Sequence, residues 1–480
     1  MRPEILSFPE FSKRLTGRHL AALMGLPGRS GSVLMMAVTT PGAPEPEQEA
    51  SACPPGGIQL PATVVEGAYP SLTPDHPQAH WFEREFFEQW GVRPEGHPWL
   101  KPVRFPQGHP GLTDFFQVQG EEIHEVAVGP VHAGVIEPGH FRFQCRGEEV
   151  LHLEISLGYQ HRGVEQALPG ASPGRAMAYV ETLAGDTSVG HALAWCRNLE
   201  ALAGVRVPPR AEVLRAVALE LERLANHCGD LGALAGDVGY LPTASFCGRL
   251  RGDLLNLTAL ACGNRFGRGW IRPGGVAWDL DAVRAEQMRT RLGRVMKDVR
   301  EALDLLNRSG SVQARFERTG IVTRQVALDL GLVGPAARAS GLALDCRRQF
   351  PWGPYLQPPF PVCTARVGDV ASRAQVRHDE MEVSARFLDG LLSSLPEGPV
   401  RTEMKGLASK AFSVSLVEGW RGQICQVAAT DTQGNLLACK VVDPSFHNWF
   451  GLAVALRGQQ ISDFPLCNKS FNLSYCGHDL

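Results

Sequence analysis

No run of this 480-residue chain is apolar enough to cross a bilayer. The longest, such as Val33-Leu-Met-Met-Ala-Val38, falls far short of the roughly 20 residues that a spanning helix needs. A basic excess is also missing: the net charge of −3 argues against a nucleic-acid partner and against electrostatic docking on anionic lipid. The N-terminus lacks the basic-then-apolar pattern of a secretion signal. None of the 12 cysteines forms a Cys-x-x-Cys pair, which excludes a zinc ribbon or a thioredoxin-type motif and predicts reduced, buried thiols in a cytosolic protein. There is no internal repeat or low-complexity array. The chain is expected to be soluble in itself.

Apolar residues make up 44% of the sequence and charged residues 20%, with 52 Gly and 35 Pro. That is a folded, loop-rich globular composition, and the length predicts two or three domains.

Residues 1 to about 118 are Pro-rich and weakly periodic, with Thr39–Glu49 reading as a solvated loop or linker. Trp81, Phe82, Phe86, Phe87 and Trp90 fall at helical spacing, which predicts an amphipathic helix over Ala79–Trp90, docked on a partner surface and stopped by Gly91. Further on, Phe141, Phe143 and Cys145, then Leu151, Leu153, Ile155 and Leu157, alternate with polar residues around Arg146–Glu149, a β-hairpin signal. From about Gly174 the pattern turns helical. A helix or broken pair is predicted over Ala178–Leu202, interrupted near Gly185 and Gly190. Others are predicted from Pro209 to near Gly229, over Asp281–Asn307 and over Val376–Leu395. Such a series implies a helical bundle core. Strands return at 422–430 and 436–442, and a final helix is predicted over Asn448–Leu456.

The densest set of ionisable residues lies between Gly129 and His191: His132, Glu137, His140, His161, Arg162, Glu165, Glu181, Asp186 and His191. His132 and His140 sit beside Pro and Gly, which suits either exposure to a cavity or a structural hydrogen bond. Glu137 is a candidate proton-relay carboxylate, since a buried Glu can titrate near neutrality; the alternative is an ion pair with Arg142 or Arg162. His161 and Arg162 suit an anchoring role for the hairpin. Glu181, Asp186 and His191 either line a water-filled pocket or are ordinary polar residues at a helix break.

Two resemblances follow from these residues. Tyr69-Pro-Ser-Leu-Thr-Pro-Asp-His-Pro, followed by Ala79-His-Trp-Phe-Glu-Arg-Glu-Phe-Phe and Gly96-His-Pro-Trp-Leu, resembles the 30-kDa subunit family of respiratory complex I. From Val128 onward the chain resembles the large-subunit superfamily shared by the 49-kDa subunit of complex I and membrane-bound [NiFe] hydrogenases. The markers are Gly129-Pro-Val-His, Glu137-Pro-Gly-His-Phe-Arg, Gly158-Tyr-Gln-His-Arg-Gly-Val-Glu, Glu220-Leu-Glu-Arg-Leu-Ala-Asn-His, Arg272-Pro-Gly-Gly-Val and Gly368-Asp-Val-Ala-Ser-Arg. The Pro-Gly-His-Phe-Arg variant and the fused N-terminal segment resemble the formate hydrogenlyase and hydrogenase-4 branch. The implied fold is α+β: a shortened or divergent 30-kDa-like α+β domain over 1–118, then a mainly helical large-subunit domain over 119–480 with peripheral β-hairpins.

The resemblance implies four cysteine ligands for nickel and iron, in Arg-x-Cys-Gly-x-Cys-x-x-x-His and in Asp-Pro-Cys-x-x-Cys. Here Ala184, Thr187 and Leu473 fill three of those positions, and only Cys476 keeps its thiol. One thiolate cannot hold that bimetallic centre, so no metal is expected in this chain. The complex I loop offers a second histidine four positions after the first, a hydrogen-bond partner for a quinone headgroup; Ile136 stands there, while His132 and His140 remain as candidate quinone or cavity ligands. Relatives often carry an Arg-Glu pair near Arg251 and Asp253, where Gly252 takes the acidic position.

The expected role is the large subunit of a membrane-associated, energy-converting oxidoreductase complex without a nickel–iron centre. Glu137, His140, Asp186 and His191 are its candidate catalytic residues, coupling electron transfer to proton movement or conformational change. An iron–sulfur small subunit carrying the cluster and integral membrane subunits of antiporter-like or quinone-channel type are the expected partners. The expected location is the cytoplasmic side of the inner membrane, peripherally. The alternatives are a quinone-binding NADH dehydrogenase-type subunit, a non-catalytic structural subunit and, against the cysteine count, a true hydrogenase.

Overall fold

The computed structural model describes residues 2–43, 57–106, 108–111, 113–131, 137–356 and 358–480. His132 and Ile136 therefore lie outside the described residues. The architecture is α+β, with long helices at the centre and small sheets around them.

Near the N-terminus a four-stranded sheet runs in the order Glu4–Ile5, Pro61–Val65, Val33–Pro41, Arg18–Pro27, the first pair parallel and the others antiparallel. The strands Arg18–Pro27 and Val33–Pro41 are covered on both faces, so they read as continuous apolar runs without alternation. For that reason the residues of 1–68 carry little strand signal. Thr39 and Thr40, expected in a loop, are buried in the second of these strands, and residues 44–56 lie outside the described set.

Helix His80–Trp90 ends at Gly91, whose φ of 70° is a left-handed C-terminal stop. It packs within this chain rather than on a separate partner. Trp81, Phe82 and Phe86 are buried in a core that also takes Val427, Val442 and Phe446 from the C-terminal region. Gly25 gives this helix room, because a Cβ there would fall 2.2 Å from the Trp90 indole nitrogen.

The predicted hairpin is present as His140–Arg146 and Glu149–Ser156, with Ile123–Val128 added as a third antiparallel strand. Near the other end, Phe412–Gly419, Gly422–Thr430 and Leu436–Val442 form a second antiparallel meander.

Between them lies the helical body. Helix Pro209–Asp237 starts on a proline and runs eight residues past Gly229. Gly229 and Gly232 are close-approach positions: Cβ atoms there would fall 2.7 Å from Arg251 and 2.6 Å from Cys247 on helix Leu241–Cys262. Helix Ala282–Asn307 begins at an Asp281 cap that accepts from the Arg284 amide at 2.8 Å, as its pattern predicts. Helix Val370–Ser393 is capped in the same way by Asp369 and starts six residues before the predicted Val376. The broken pair resolves as Pro173–Val180 and Ser188–Ala203, with Gly185 in the break and Gly190 inside the second helix. Gly190 interrupts nothing: it lets Ile424 approach, since a Cβ would sit 2.8 Å from that side chain. The predicted last helix is Pro444–Ala455, and Phe464–Phe471 and Tyr475–Asp479 follow it. No helix among the described residues is long and apolar enough to cross a membrane.

Candidate functional site

The Glu181–Thr187 break and the turn at Asn472–Cys476 meet, although nearly 290 positions separate them. The contact is tight: a Cβ on Gly477 would lie 3.0 Å from Ala184 Cβ and 2.7 Å from Asp443 Cγ. The two segments that align with the four-cysteine pattern are thus face to face, with Ala184, Leu473 and Thr187 buried.

Arg421 stitches them together. Its guanidinium donates to Gly185 O at 2.7 Å, to Thr187 Oγ1 at 3.0 Å and to Asn472 O at 2.6 Å. The adjacent Trp420 indole donates to Asp186 O at 3.0 Å and Thr187 Oγ1 at 3.1 Å. These bonds hold Asp186 at φ 59°, a left-handed conformation that Asp tolerates better than most side chains. The donor set of one thiol, one threonine hydroxyl, an alanine and a leucine does not fit a nickel–iron centre. Among the described residues no group of three or more His, Cys, Asp or Glu side chains is arranged to hold a metal ion.

Glu137 reaches this place from the loop before the hairpin. Its Oε2 accepts the Tyr475 amide at 3.0 Å, and the carboxylate also meets the Cys476 thiol. Neither candidate arginine pairs with it. Arg142 holds Glu125 at 3.0 Å, and Arg162 donates to the Thr182 and Leu183 carbonyls. Burial, and then the Glu137 charge, push the Cys476 thiol up to about 11, so it is protonated at neutral pH.

His191 is fully buried and bonds Asp443 Oδ2 through Nε2 at 2.9 Å, while Gln426 faces its Nδ1 at 3.2 Å. Burial would raise the Asp443 carboxyl, but the His191 bond and the Arg421 charge outweigh it and keep the pKa low. Asp186 points outward to Arg251 at 3.3 Å, a partly exposed pair. Glu181 is bound by the Gly269 amide and by Arg272. His140 stands apart: its ring stacks on Phe115 at 5.1 Å and its Nε2 is buried without a hydrogen-bond partner among the described residues. The structure therefore gathers Glu137, Ala184, Thr187, His191 and Cys476, leaves Asp186 on the rim and places His140 beside Phe115.

The stretch Gly158–Gly163 grips the C-terminal helix. The Gly158 and Gln160 amides bind the Asp479 carboxylate at 2.8 and 2.9 Å, His161 Nδ1 meets Asp479 O at 2.8 Å, and the Arg162 amide binds Leu480 O at 2.8 Å. Arg162 also ties this grip to the Glu181–Thr187 break, so these residues anchor the last helix rather than the hairpin. Glu165 serves elsewhere, accepting from the Val441 amide and pairing with Lys440 at 3.1 Å.

Sequence reasoning missed a buried ion network behind the site. Arg338 bridges Glu380 and Glu418, each at 2.7 Å; Arg347 holds Asp345 at 2.6 Å and Glu220 at 3.3 Å; His227 Nε2 meets Glu380 at 2.9 Å. Arg223 binds Glu220 and the Glu418 and Gly419 carbonyls, so the network leads directly into the Trp420–Arg421 segment. Three guanidiniums face four carboxylates (Glu220, Asp345, Glu380, Glu418), so neutrality requires one further proton, on His227 or a carboxyl. Burial raises Glu418 and lowers His227, which favours a carboxyl as its seat. The available signal was the spacing of Glu220, Arg223 and His227, which puts them on one stripe of helix Pro209–Asp237.

Glu222 was missed as well. It is buried and accepts the Val189 and Gly190 amides at 2.7 and 3.1 Å, at the start of helix Ser188–Ala203. Burial pushes its carboxyl up to about 8, outweighing those two donors.

Comparison with known proteins supports the same grouping. The family profile of the respiratory-chain NADH dehydrogenase 49 Kd subunit matches residues 237–412, and that of the 30 Kd subunit matches residues 56–122. The carbon monoxide-induced hydrogenase of Rhodospirillum rubrum is 30% identical over 350 residues, covering 73% of this chain and 97% of that protein. An NADH-quinone oxidoreductase component from Clostridium beijerinckii is 31% identical over 338 residues, covering 70% and 91%. Formate hydrogenlyase subunit 5 of Escherichia coli is 29% identical over 435 residues, covering 85% and 76%. On these identities and coverages this chain belongs to the family of the complex I 49-kDa subunit and its membrane-bound hydrogenase relatives, as a member that keeps one of the four nickel–iron cysteine positions, Cys476.

Proposed function

We propose that this chain is the large subunit of a membrane-associated, energy-converting oxidoreductase complex in which the former metal site works with protons instead of hydrogen. It would sit peripherally on the cytoplasmic side of the inner membrane, against an iron–sulfur small subunit whose cluster lies next to the Glu137–Cys476 site. Integral membrane subunits of antiporter-like or quinone-channel type would complete the assembly. In this reading no cofactor belongs to the chain itself.

The observation that carries it is the hydrogen-bond link from the Glu137–Cys476 turn, through Arg421 and the Glu418 and Gly419 carbonyls held by Arg223, to a buried network one proton short of neutrality. A charge change on a neighbouring cluster alters the cost of keeping that proton, because buried charges are poorly screened. The coupling would then be a shift in proton occupancy, transmitted by the 418–421 segment to the Glu181–Thr187 break. The test is turnover and proton translocation of the assembled complex carrying Glu137→Gln. Loss of translocation with turnover retained supports the reading; wild-type values for both overturn it.

A quinone-binding role is the second reading, supported by the unpaired His140 Nε2 beside Phe115. Photolabelling with a quinone analogue that marks residues 129–191 supports it, and a clean peptide map there rejects it. Full electron flow after replacement of every polar residue in that stretch would leave a structural subunit.

A further inference from the structure

Among the described residues six histidines are buried, and they differ in what they face. His191, His227 and His478 each meet a carboxylate at 2.9 Å, and His76 meets the Ser12 hydroxyl at 3.2 Å. His19 and His447 meet each other, with ring centres 5.2 Å apart. The pair spans the seam between strand Arg18–Pro27 and helix Pro444–Ala455, beside the core that the N-terminal sheet shares with Val442 and Phe446.

Each ring is held in a form that leaves no place for a second proton. The Cys346 thiol faces Gln423 Oε1 at 3.6 Å, so the Gln423 amide nitrogen donates to His19 Nε2 at 3.2 Å and the His19 proton is on Nδ1. That Nδ1 lies 3.6 Å from where a Gly331 Cβ would fall, and both residues line a groove of about 340 Å³ whose wall includes the exposed Asp75 and Asp329. His447 bonds the Ala21 backbone through Nδ1, since its Nε2 is buried without a partner among the described residues. A proton added to His19 sets an N–H against the Gln423 N–H, and one added to His447 is a buried donor without an acceptor.

The charged groups around the pair are engaged elsewhere. Arg18 reaches Thr39 Oγ1 and Gly57 O, Asp443 is held by His191, and Asp329 accepts from Gln325 at 2.8 Å. His76, on the same groove, is bound to Ser12, and burial keeps the Cys346 thiol protonated. Burial pushes the His19 ring down to about 4; burial, and after it the His19 charge, lowers His447. Both folded values lie below the ordinary one near 6.5, so this stabilisation of the seam is complete above about pH 6.5 and is lost as pH falls towards 4.

We infer that the stacked His19–His447 pair is an acid-sensitive latch, which holds the N-terminal sheet on helix Pro444–Ala455 at neutral pH and releases it on acidification. Burying an imidazolium there without a counter-charge costs more than opening the seam to water. The helix starts from the Asp443 cap, so the latch lies one helical turn from the His191 contact. It does not depend on the proton chemistry proposed for the Glu137–Cys476 turn.

The test is hydrogen exchange of the full chain at about pH 7 and about pH 5, read by peptide mass spectrometry and corrected for the intrinsic pH dependence of exchange. Opening of strand Arg18–Pro27 and helix Pro444–Ala455 should become about twenty-fold more favourable for each imidazole released, while helix Ala282–Asn307, in the other core, stays protected. His19→Gln combined with His447→Phe should lose most of that rise. Gln423→Glu sets a carboxylate against His19 Nε2 and should remove the His19 share of it. Thermal melting at neutral pH identifies a variant that fails to fold, and the other then decides. The inference is overturned if the seam peptides open no more than helix Ala282–Asn307 on acidification, or if either folded variant keeps the full acid response.

Discussion

Glu137 Oε2 and the Tyr475 amide, 338 positions apart, are joined by a 3.0 Å hydrogen bond that fixes the loop before the hairpin onto the first turn of the last helix. The same carboxylate faces Cys476, so one side chain both holds the turn and sets the electrostatics of the remaining thiol. A carboxylate is well placed at a helix start, where amides lack partners.

Glu137→Gln should therefore lower the Cys476 pKa, since the charge that raises it is gone. The pH profile of Cys476 alkylation, followed by peptide mass spectrometry, should move to lower pH. A stability loss of about 1 kcal/mol should accompany it, from the weaker acceptor at Tyr475.

Arg421 should be irreplaceable by lysine. Its fork reaches Gly185 O, Thr187 Oγ1 and Asn472 O together, whereas an ammonium is a point donor. Arg421→Lys and Arg421→Met should each cost about 2–4 kcal/mol in chemical denaturation. Proteolysis should become faster at Glu181–Thr187 in both.

Glu222 predicts a dependence at neutral pH. Its folded pKa, about 8, exceeds that of an unfolded carboxyl, so the native state keeps a proton that the unfolded chain has lost, and stability falls as pH rises from about 4.5 to about 8. Glu222→Gln should flatten that decline and gain relative to the wild type with increasing pH. Infrared difference spectra at pH 7 should lack one protonated-carboxyl band in the variant.

The ion network predicts the opposite sign at acid pH. Burial alone would raise Glu220, but Arg223, Arg347, Ser384 and Tyr355 outweigh it and hold its carboxyl at about 2. The resulting stabilisation is complete above pH 4.5 and is lost as pH falls towards 2, on the order of 3 kcal/mol for this group. Arg338→Leu leaves Glu380 and Glu418 without their shared partner and should cost about 3–5 kcal/mol at neutral pH.

Metal analysis of the purified assembly should find no stoichiometric nickel. Stoichiometric nickel would mean that one thiol, with non-thiolate neighbours at Ala184, Thr187 and Leu473, suffices to hold it, against the preference of such centres for thiolates.

The long helices are readable because each presents one apolar stripe to a single core: Ala282–Asn307 shows its period and its Asp281 cap directly in the residues. The strands Arg18–Pro27 and Val33–Pro41 are not, because burial of both faces erases the alternation that marks a strand. The end of helix Pro209–Asp237 is hidden for another reason: Gly229 looks like a stop when it is a point of close packing against Arg251.

The sequence by itself determined the α+β class, the family membership and the replacement of three of the four nickel–iron cysteine positions, because these depend on residue identities and local periodicity at marked positions. Only the tertiary structure decided that Glu137 serves Tyr475 and Cys476 rather than an arginine, that His191 is locked to Asp443, and that charges from helices Pro209–Asp237 and Val370–Ser393, from residues 338–347 and from strand Phe412–Gly419 form one network. Those outcomes depend on which surfaces meet across hundreds of residues. Burial there leaves each polar atom few partners within reach, and no local pattern encodes which one it takes.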